Sequence, residues 1–336
     1  MSYRDPVYGS ATDPAAVRSG AIRARLRRIR AEMSYRDPIF DGATDPAVVR
    51  DRDSGDWWMF YTQRRASVAG PGVAWVHGSD IGTAVSADGG GAWLYLGTVE
   101  GLDFEPGRNT FWAPEVFWAR GEYHMLVSYI RGVPDRWAGH ERQIRHYVSP
   151  DLRKWLDLGP LDLDSRYVID AAIYPLSSGM YRLWFKDEAR DSHTYYSDSR
   201  DLLTWSPPKP AITGDAHEGP NVFALGGWYW LLTDEWHGLA VYRSADLEDW
   251  KRSGMILDVP GTHPDDTDVG RHADVVECGD RAFIFYFTHP GLAGARDPDS
   301  YQGRRSCVLT AELHVEDGHL TCDRNAPPTP PFLTVP

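Results

Sequence analysis

Five short apolar runs in this chain each begin beside an ionisable residue. They are Thr44-Asp45-Pro46-Ala-Val-Val, Trp112-Ala-Pro-Glu115-Val-Phe, Val168-Ile-Asp170-Ala-Ala-Ile, His217-Glu218-Gly-Pro-Asn221-Val-Phe and Arg271-His272-Ala-Asp274-Val-Val. A lone Asp at a strand start is most often a turn or cap residue. Five acids at comparable places are harder to explain as caps, because a buried carboxylate is costly unless it is paired or used. Carboxyl groups that converge on one gap can divide acid and base work. One takes a proton from water while another, kept protonated, gives a proton to a leaving group.

Residues so far apart meet only if the chain brings each run back to one axis. A repeat does this. The pattern Ser-x-Asp-Leu-x-x-Trp occurs at Ser149–Trp155, Ser199–Trp205 and Ser244–Trp250, with a Gly-rich variant at Ser86–Trp93. The Trp spacings are 62, 50 and 45 residues. Repeats of about 40–50 residues built from several short strands are the signature of propeller blades. Each unit reads as an acid-bearing first strand, a Gly turn, an aromatic second strand such as Trp57–Tyr61 or Met180–Phe185, a third strand, the Ser-x-Asp turn and a fourth strand. This predicts an all-β, single five-bladed propeller with blades at 45–99, 110–159, 165–208, 216–257 and 270–321, within a domain spanning 33–323. A Pro-rich tail, 324–336, follows.

The N-terminus carries a different repeat. Residues 1–18 match residues 33–50 at 13 of 18 positions. Between the copies, Ile22, Leu26, Ile29 and Met33 form one stripe of an Arg-rich helix. Residues 1–32 are expected to be a short helical arm, either a solvated by-product of a local duplication or a docking arm that makes a homodimer. The first copy also offers Asp13 as a second candidate base. Asp45 is favoured because Trp57–Tyr61 follows it at blade spacing, whereas Asp13 is followed by the basic helix.

Composition narrows the function. With 35 Lys and Arg against 48 Asp and Glu, a formal charge of −13, the chain is not expected to bind nucleic acid or an anionic membrane. It is 42 % hydrophobic, enough for a sizeable core. Three cysteines (278, 307 and 322) give neither a disulfide framework nor a C-x-x-C zinc site. The lack of an apolar leader and the unpaired cysteines predict a cytoplasmic protein. The 14 Trp and 17 Tyr suit an all-β protein that handles sugars, although most fall at the repeat turns and second strands, where they serve architecture.

The combination of Asp45-Pro46, Trp112-Ala-Pro-Glu115, Ile169-Asp170, Glu218-Gly-Pro and His272 in five successive units resembles glycoside hydrolase family 43 over about residues 40–315. The resemblance implies a five-bladed propeller acting on oligosaccharides with arabinofuranosyl, xylosyl or galactosyl units. It implies Asp45 as general base, Glu218 as general acid and Asp170 as the residue that tunes the acid. It also implies that His272 helps hold a central water or a metal ion, so a structural calcium at the propeller centre is admissible, with no cofactor required. In this reading Glu218 stays protonated near neutral pH because Asp170 repels its charge. Trp112 and Phe111 are candidates to stack on the sugar, and Glu115, Asn221, His272 and Arg304 to bind it. Glu115 stands where many family members have Asp, a change that a binding role tolerates better than a catalytic one.

Rival readings remain at this point. Arg-Asp-Pro occurs at residues 4–6, 36–38 and 296–298, and Glu-Cys at 277–278, as in retaining fructosidases, but in the wrong blades. Neoagarooligosaccharide hydrolases are similar propellers with swapped N-terminal arms and, in some, a histidine acid. A mannoside phosphorylase would need a basic phosphate pocket. A non-catalytic sugar-binding propeller would fill the gap between Asp45 and Glu218.

Overall fold

The computed structural model describes residues 34–334. The proposed arm, its helix and Asp13 lie outside the described residues. A first strand, β1 (Ser34–Arg36), precedes five antiparallel sheets. Blade one is β2 (Ala43–Arg50), β3 (Trp57–Gln63), β4 (Asp80–Ser86) and β5 (Leu94–Thr98). Blade two is β6 (Thr110–Ala119), β7 (Glu122–Ile130), β8 (Gln143–Ser149) and β9 (Leu156–Pro160). Blade three is β10 (Val168–Pro175), β11 (Tyr181–Asp187), β12 (His193–Ser199) and β13 (Lys209–Ile212). Blade four is β14 (Glu218–Leu225), β15 (Trp228–Asp234), β16 (Leu239–Ser244) and β17 (Lys251–Ile256). Blade five is β18 (Arg271–Cys278), β19 (Arg281–Thr288), β20 (Cys307–Glu316) and β21 (His319–Cys322). The expected five-bladed, all-β architecture is what the chain forms. No described helix is long and apolar enough to cross a membrane.

β1 pairs with β20, Ser34 opposite Leu309 and Arg36 opposite Cys307, so the segment preceding blade one completes blade five and closes the ring. Tyr35 and Asp37 anchor this closure. The Tyr61 hydroxyl and Gln63 Nε2 both donate to the buried Asp37 carboxylate, at 2.6 and 2.7 Å, and the Tyr35 and Tyr61 hydroxyls are 3.0 Å apart.

The repeat turn has a local cause. Asp151, Asp201 and Asp246 accept backbone N–H groups two or three residues ahead, and the preceding Ser hydroxyl accepts the Asp N–H. The turn then drives Leu152, Leu202 and Leu247 to φ of 64°, 67° and 67°, a left-handed conformation rare for branched residues. All three leucines are buried, which offsets that strain. The motif Trp packs back on the preceding blade. Trp155 meets Phe60 edge-on at 5.8 Å, Trp250 meets Trp184 at 6.3 Å, and Trp93 meets Phe285 at 6.0 Å. The turn therefore fixes both the corner of one blade and its seam with the next. The tail returns across blades one and five, where Phe332 and Leu333 are buried and the Trp57 indole donates to the Leu333 carbonyl at 3.1 Å.

Candidate active site

Each innermost strand breaks register at the residues singled out by sequence. In blade one, pairing steps from Thr44↔Thr62 to Ala47↔Phe60, leaving Asp45 and Pro46 opposite a single residue. The same step occurs at Trp112/Glu115, Ile169/Ala172 and Glu218/Asn221, and a shorter one at Arg271/Ala273. A bulge of this kind bends the strand and re-aims a side chain. The bulged residues Asp45, Ala113, Asp170 and Gly219 have φ of 49°, 45°, 59° and 57°. Asp tolerates this conformation better than most residues. Gly219 is required twice over, because a Cβ there would meet His272 Cγ at 2.7 Å.

Neighbouring blades stitch the bulges in place. Ala113 N–H donates to Thr62 Oγ1 (2.8 Å), Asp170 N–H to Ser128 Oγ (3.0 Å), Gly219 N–H to Asp170 Oδ2 (3.1 Å) and His272 N–H to Asp234 Oδ2 (3.0 Å). Each acceptor belongs to the blade before. Asp45, Asp170, Glu218, His272 and Trp112 all line one open cleft of about 490 Å³.

Within it, Asp45 accepts from Thr44 Oγ1 at 2.9 Å, with Arg64 at 3.5 Å and His272 Nδ1 at 3.6 Å. Glu218 is paired with Lys186 Nζ at 3.1 Å, and Lys186 also lies 3.5 Å from Glu188. Burial pushes the Asp170 carboxyl up, opposed by His272 and aided by the Glu218 charge, to about 6. Burial pushes Asp234 to about 6 as well, with Glu218 adding to the rise. For Glu218 burial also acts upward, but Lys186 and His272 outweigh it and hold the carboxyl below its ordinary value. Burial disfavours the charged imidazole of His272, yet Asp170, Asp45, Glu218 and Asp234 together raise it. This corrects the expectation for Glu218. Asp170 is close enough to repel it, but the Lys186 ammonium dominates, and the raised carboxyls are Asp170 and Asp234.

Other sequence candidates fall elsewhere. The Phe111 ring is buried inside blade two against Tyr129, centroids 5.3 Å apart, not on the cleft. Arg304 lies over the Trp75 ring, 5.3 Å from its centroid, and does not line the cleft. Glu115 and Asn221 sit one level deeper, at the register position of Asp274, and do not line the cleft either. There Glu115 accepts Ile173 N–H at 3.1 Å, while Asp274 accepts Val48 N–H at 2.7 Å and Asn221 Nδ2 at 3.1 Å. These two acids staple one blade to the next. Trp112 does line the cleft, its indole held by the Val76 carbonyl at 2.9 Å, with Arg142 over its ring. Among the described residues no group of three or more His, Cys, Asp or Glu is arranged to hold a metal ion.

The sequence reading missed Arg64, Arg142, Lys186, Asp234, Trp236 and Arg271, all of which line the cleft. A signal existed for one of them. Asp234 is the charged residue that ends an otherwise uncharged second strand, directly opposite Glu218.

No protein-family model and no curated protein matches the chain. Among solved structures it is similar to a thermostable family-43 glycoside hydrolase, at TM-score 0.66 and 20 % identity, over 88 % of this chain and 99 % of that one. It is also similar to a family-43 β-xylosidase/α-arabinofuranosidase from a compost microbial metagenome, solved with xylotriose, at TM-score 0.65 and 15 % identity, over 87 % and 97 % of the two chains. A family-43 β-1,3-galactosidase with galactodeoxynojirimycin superposes at TM-score 0.64 and 14 % identity, over 88 % and 98 %. The chain thus has the five-bladed fold of these enzymes across nearly their whole length.

Proposed function

We propose that the protein is an inverting glycoside hydrolase releasing arabinofuranosyl, xylosyl or galactosyl units from oligosaccharides. The observation that carries this reading is the convergence of Asp45, Asp170 and Glu218, from blades one, three and four, on one cleft that no side chain fills. Asp45 is the base. Its carboxylate takes a proton from a water that attacks the anomeric carbon, while the Glu218 carboxyl gives its proton to the glycosidic oxygen and the C–O bond breaks. Inversion requires the two carboxyls to stand about 6.5–9.5 Å apart so that water fits beside the sugar. Asp170, bonded to the Gly219 N–H, orients the acid. Trp112 and the exposed Trp137 provide an aromatic wall for the sugar. The named activities of the structural neighbours support the three sugar classes.

A phosphorylase reading gains some ground from Arg64, Arg142, Lys186 and Arg271 in the cleft, but each faces a carboxylate: Asp45, Glu188, Glu218 and Asp268. The test is a panel of aryl arabinofuranosides, xylosides and galactosides followed by proton NMR, with and without inorganic phosphate. Hydrolysis of at least one class, first-formed product of inverted configuration and no phosphate dependence are expected. Retained configuration or a sugar phosphate product would refute the reading.

A further inference from the structure

Glu188 lines the cleft and has no role in the hydrolase reading. It follows β11, where its N–H donates to the Tyr167 carbonyl at 2.9 Å. Its Oε1 accepts from Arg142 Nη1 and lies 3.5 Å from Lys186 Nζ. The same ammonium donates to Glu218 Oε2 at 3.1 Å. Among the described residues, Glu218 and Glu188 are the carboxylates within 4 Å of it, so Lys186 stands at a fork. Arg142 fixes the second arm from behind. It is buried, its N–H donates to the Arg166 carbonyl at 2.8 Å, and its guanidinium also donates to the Trp137 carbonyl. The fork meets a need of the mechanism. An acid that gives up a proton at every turnover must take one back, and Glu218 is ion-paired in the free protein. Lys186 is buried too, and a buried cation that loses its partner is costly. Were Glu218 its sole partner, each reprotonation would strand the ammonium.

We propose that Glu188 is a positioning residue for Lys186, an alternate carboxylate that takes the ammonium whenever Glu218 holds its proton. A lysine suits this exchange, with a flexible four-carbon stem and three donors. Once Glu218 has delivered its proton, Lys186 returns to the carboxylate left behind. This deepens, and rests on, the reading of Glu218 as the acid. Other charged groups surround the fork. Asp170 of β10 accepts the Gly219 N–H through Oδ2, Asp234 of β15 stands opposite Glu218 in the ladder, and His272 of β18 packs on Gly219. They are the same whichever carboxylate Lys186 faces. What differs between the two arms is the Glu188 charge and its tie to Arg142.

The test compares the parent, Glu188→Gln and Lys186→Met across pH on an oligosaccharide cleaved by the parent, with thermal melts to confirm folding. Glu188→Gln keeps an oxygen for Arg142 and removes the rival charge, so Lys186 stays on Glu218 and favours its ionised form. The basic limb of the kcat/KM profile, which reports the free acid, is expected to move down by about one pH unit. Lys186→Met removes the cation, and the same limb should move up by about one unit or more. A merely structural loss lowers the whole profile without moving the limb. If Lys186→Met does not fold, Glu188→Gln decides alone. A folded Glu188→Gln whose basic limb superimposes on that of the parent, or moves up, overturns the proposal and leaves the hydrolase reading standing. So does a folded Lys186→Met whose limb stays in place. A parent that cleaves no glycoside overturns both.

Discussion

At the scale of the residue, the acids that looked equivalent in sequence divide into two jobs. Asp45, Asp170 and Glu218 lie at or beside a bulge and face the cleft, whereas Glu115 and Asp274 lie beyond it and accept backbone N–H groups of the next blade. The difference is two or three positions along a strand, enough to exchange solvent-facing chemistry for a buried staple. Asp45 has a rival only in Asp13 of the duplicated segment. Asp45→Asn keeps a residue that tolerates positive φ and removes only the basic oxygen. We expect it to lower kcat by about 10²–10⁴-fold, with Asp13→Asn at the parent rate. A loss of that size in Asp13→Asn, with Asp45→Asn at the parent rate, would place the base in the other copy.

At the scale of the element, the two copies are not interchangeable, for a steric reason. Gly42 packs against blade one so closely that a Cβ would meet the Arg64 carbonyl oxygen at 2.0 Å. The matching position of the first copy is Ser10. Asp41, which pairs with Arg36 and accepts from the Tyr301 hydroxyl, is matched by Gly9, and the buried Val48 by Ala16. Only residues 33–50 therefore suit β1 and β2. The blades were readable in advance because the Ser-x-Asp turn encodes its own geometry in adjacent residues, and because the second strands are unbroken apolar runs such as Trp57–Tyr61. The bulges were not readable. They depend on pairing with a strand 18 residues away, as Thr44 does with Thr62, and on acceptors in the preceding blade. Lys186 and Trp236 escaped for the same reason. Their meaning comes from what stands across the ladder and across the cleft, and sequence spacing carries neither.

At the scale of the whole molecule, the ring is closed by β1 and its axis is lined with carboxyls that burial has raised. Asp274 is pushed to about 6, with burial the leading cause. Its native pKa exceeds its unfolded one, so between about pH 4 and pH 6 the native state holds more protons than the unfolded state. Asp274 then loses stability for the fold as pH rises through that window. Asp274→Asn removes the titration and keeps one oxygen to accept the Val48 N–H. Urea melts should show the variant gaining about 3 kcal/mol on the parent between pH 4 and pH 7. A gap independent of pH would show that Asp274 is not titrating in that range. The central claim is that the ring brings a base from blade one and an acid from blade four to opposite sides of one glycosidic bond. The most direct measurement is Glu218→Gln assayed on glycosides with poor and with activated aryl leaving groups. The account predicts a loss of about 10²–10⁴-fold on poor leaving groups and a much smaller loss on activated ones, which need no proton to depart. Intact activity, or an equal loss on both, would contradict it.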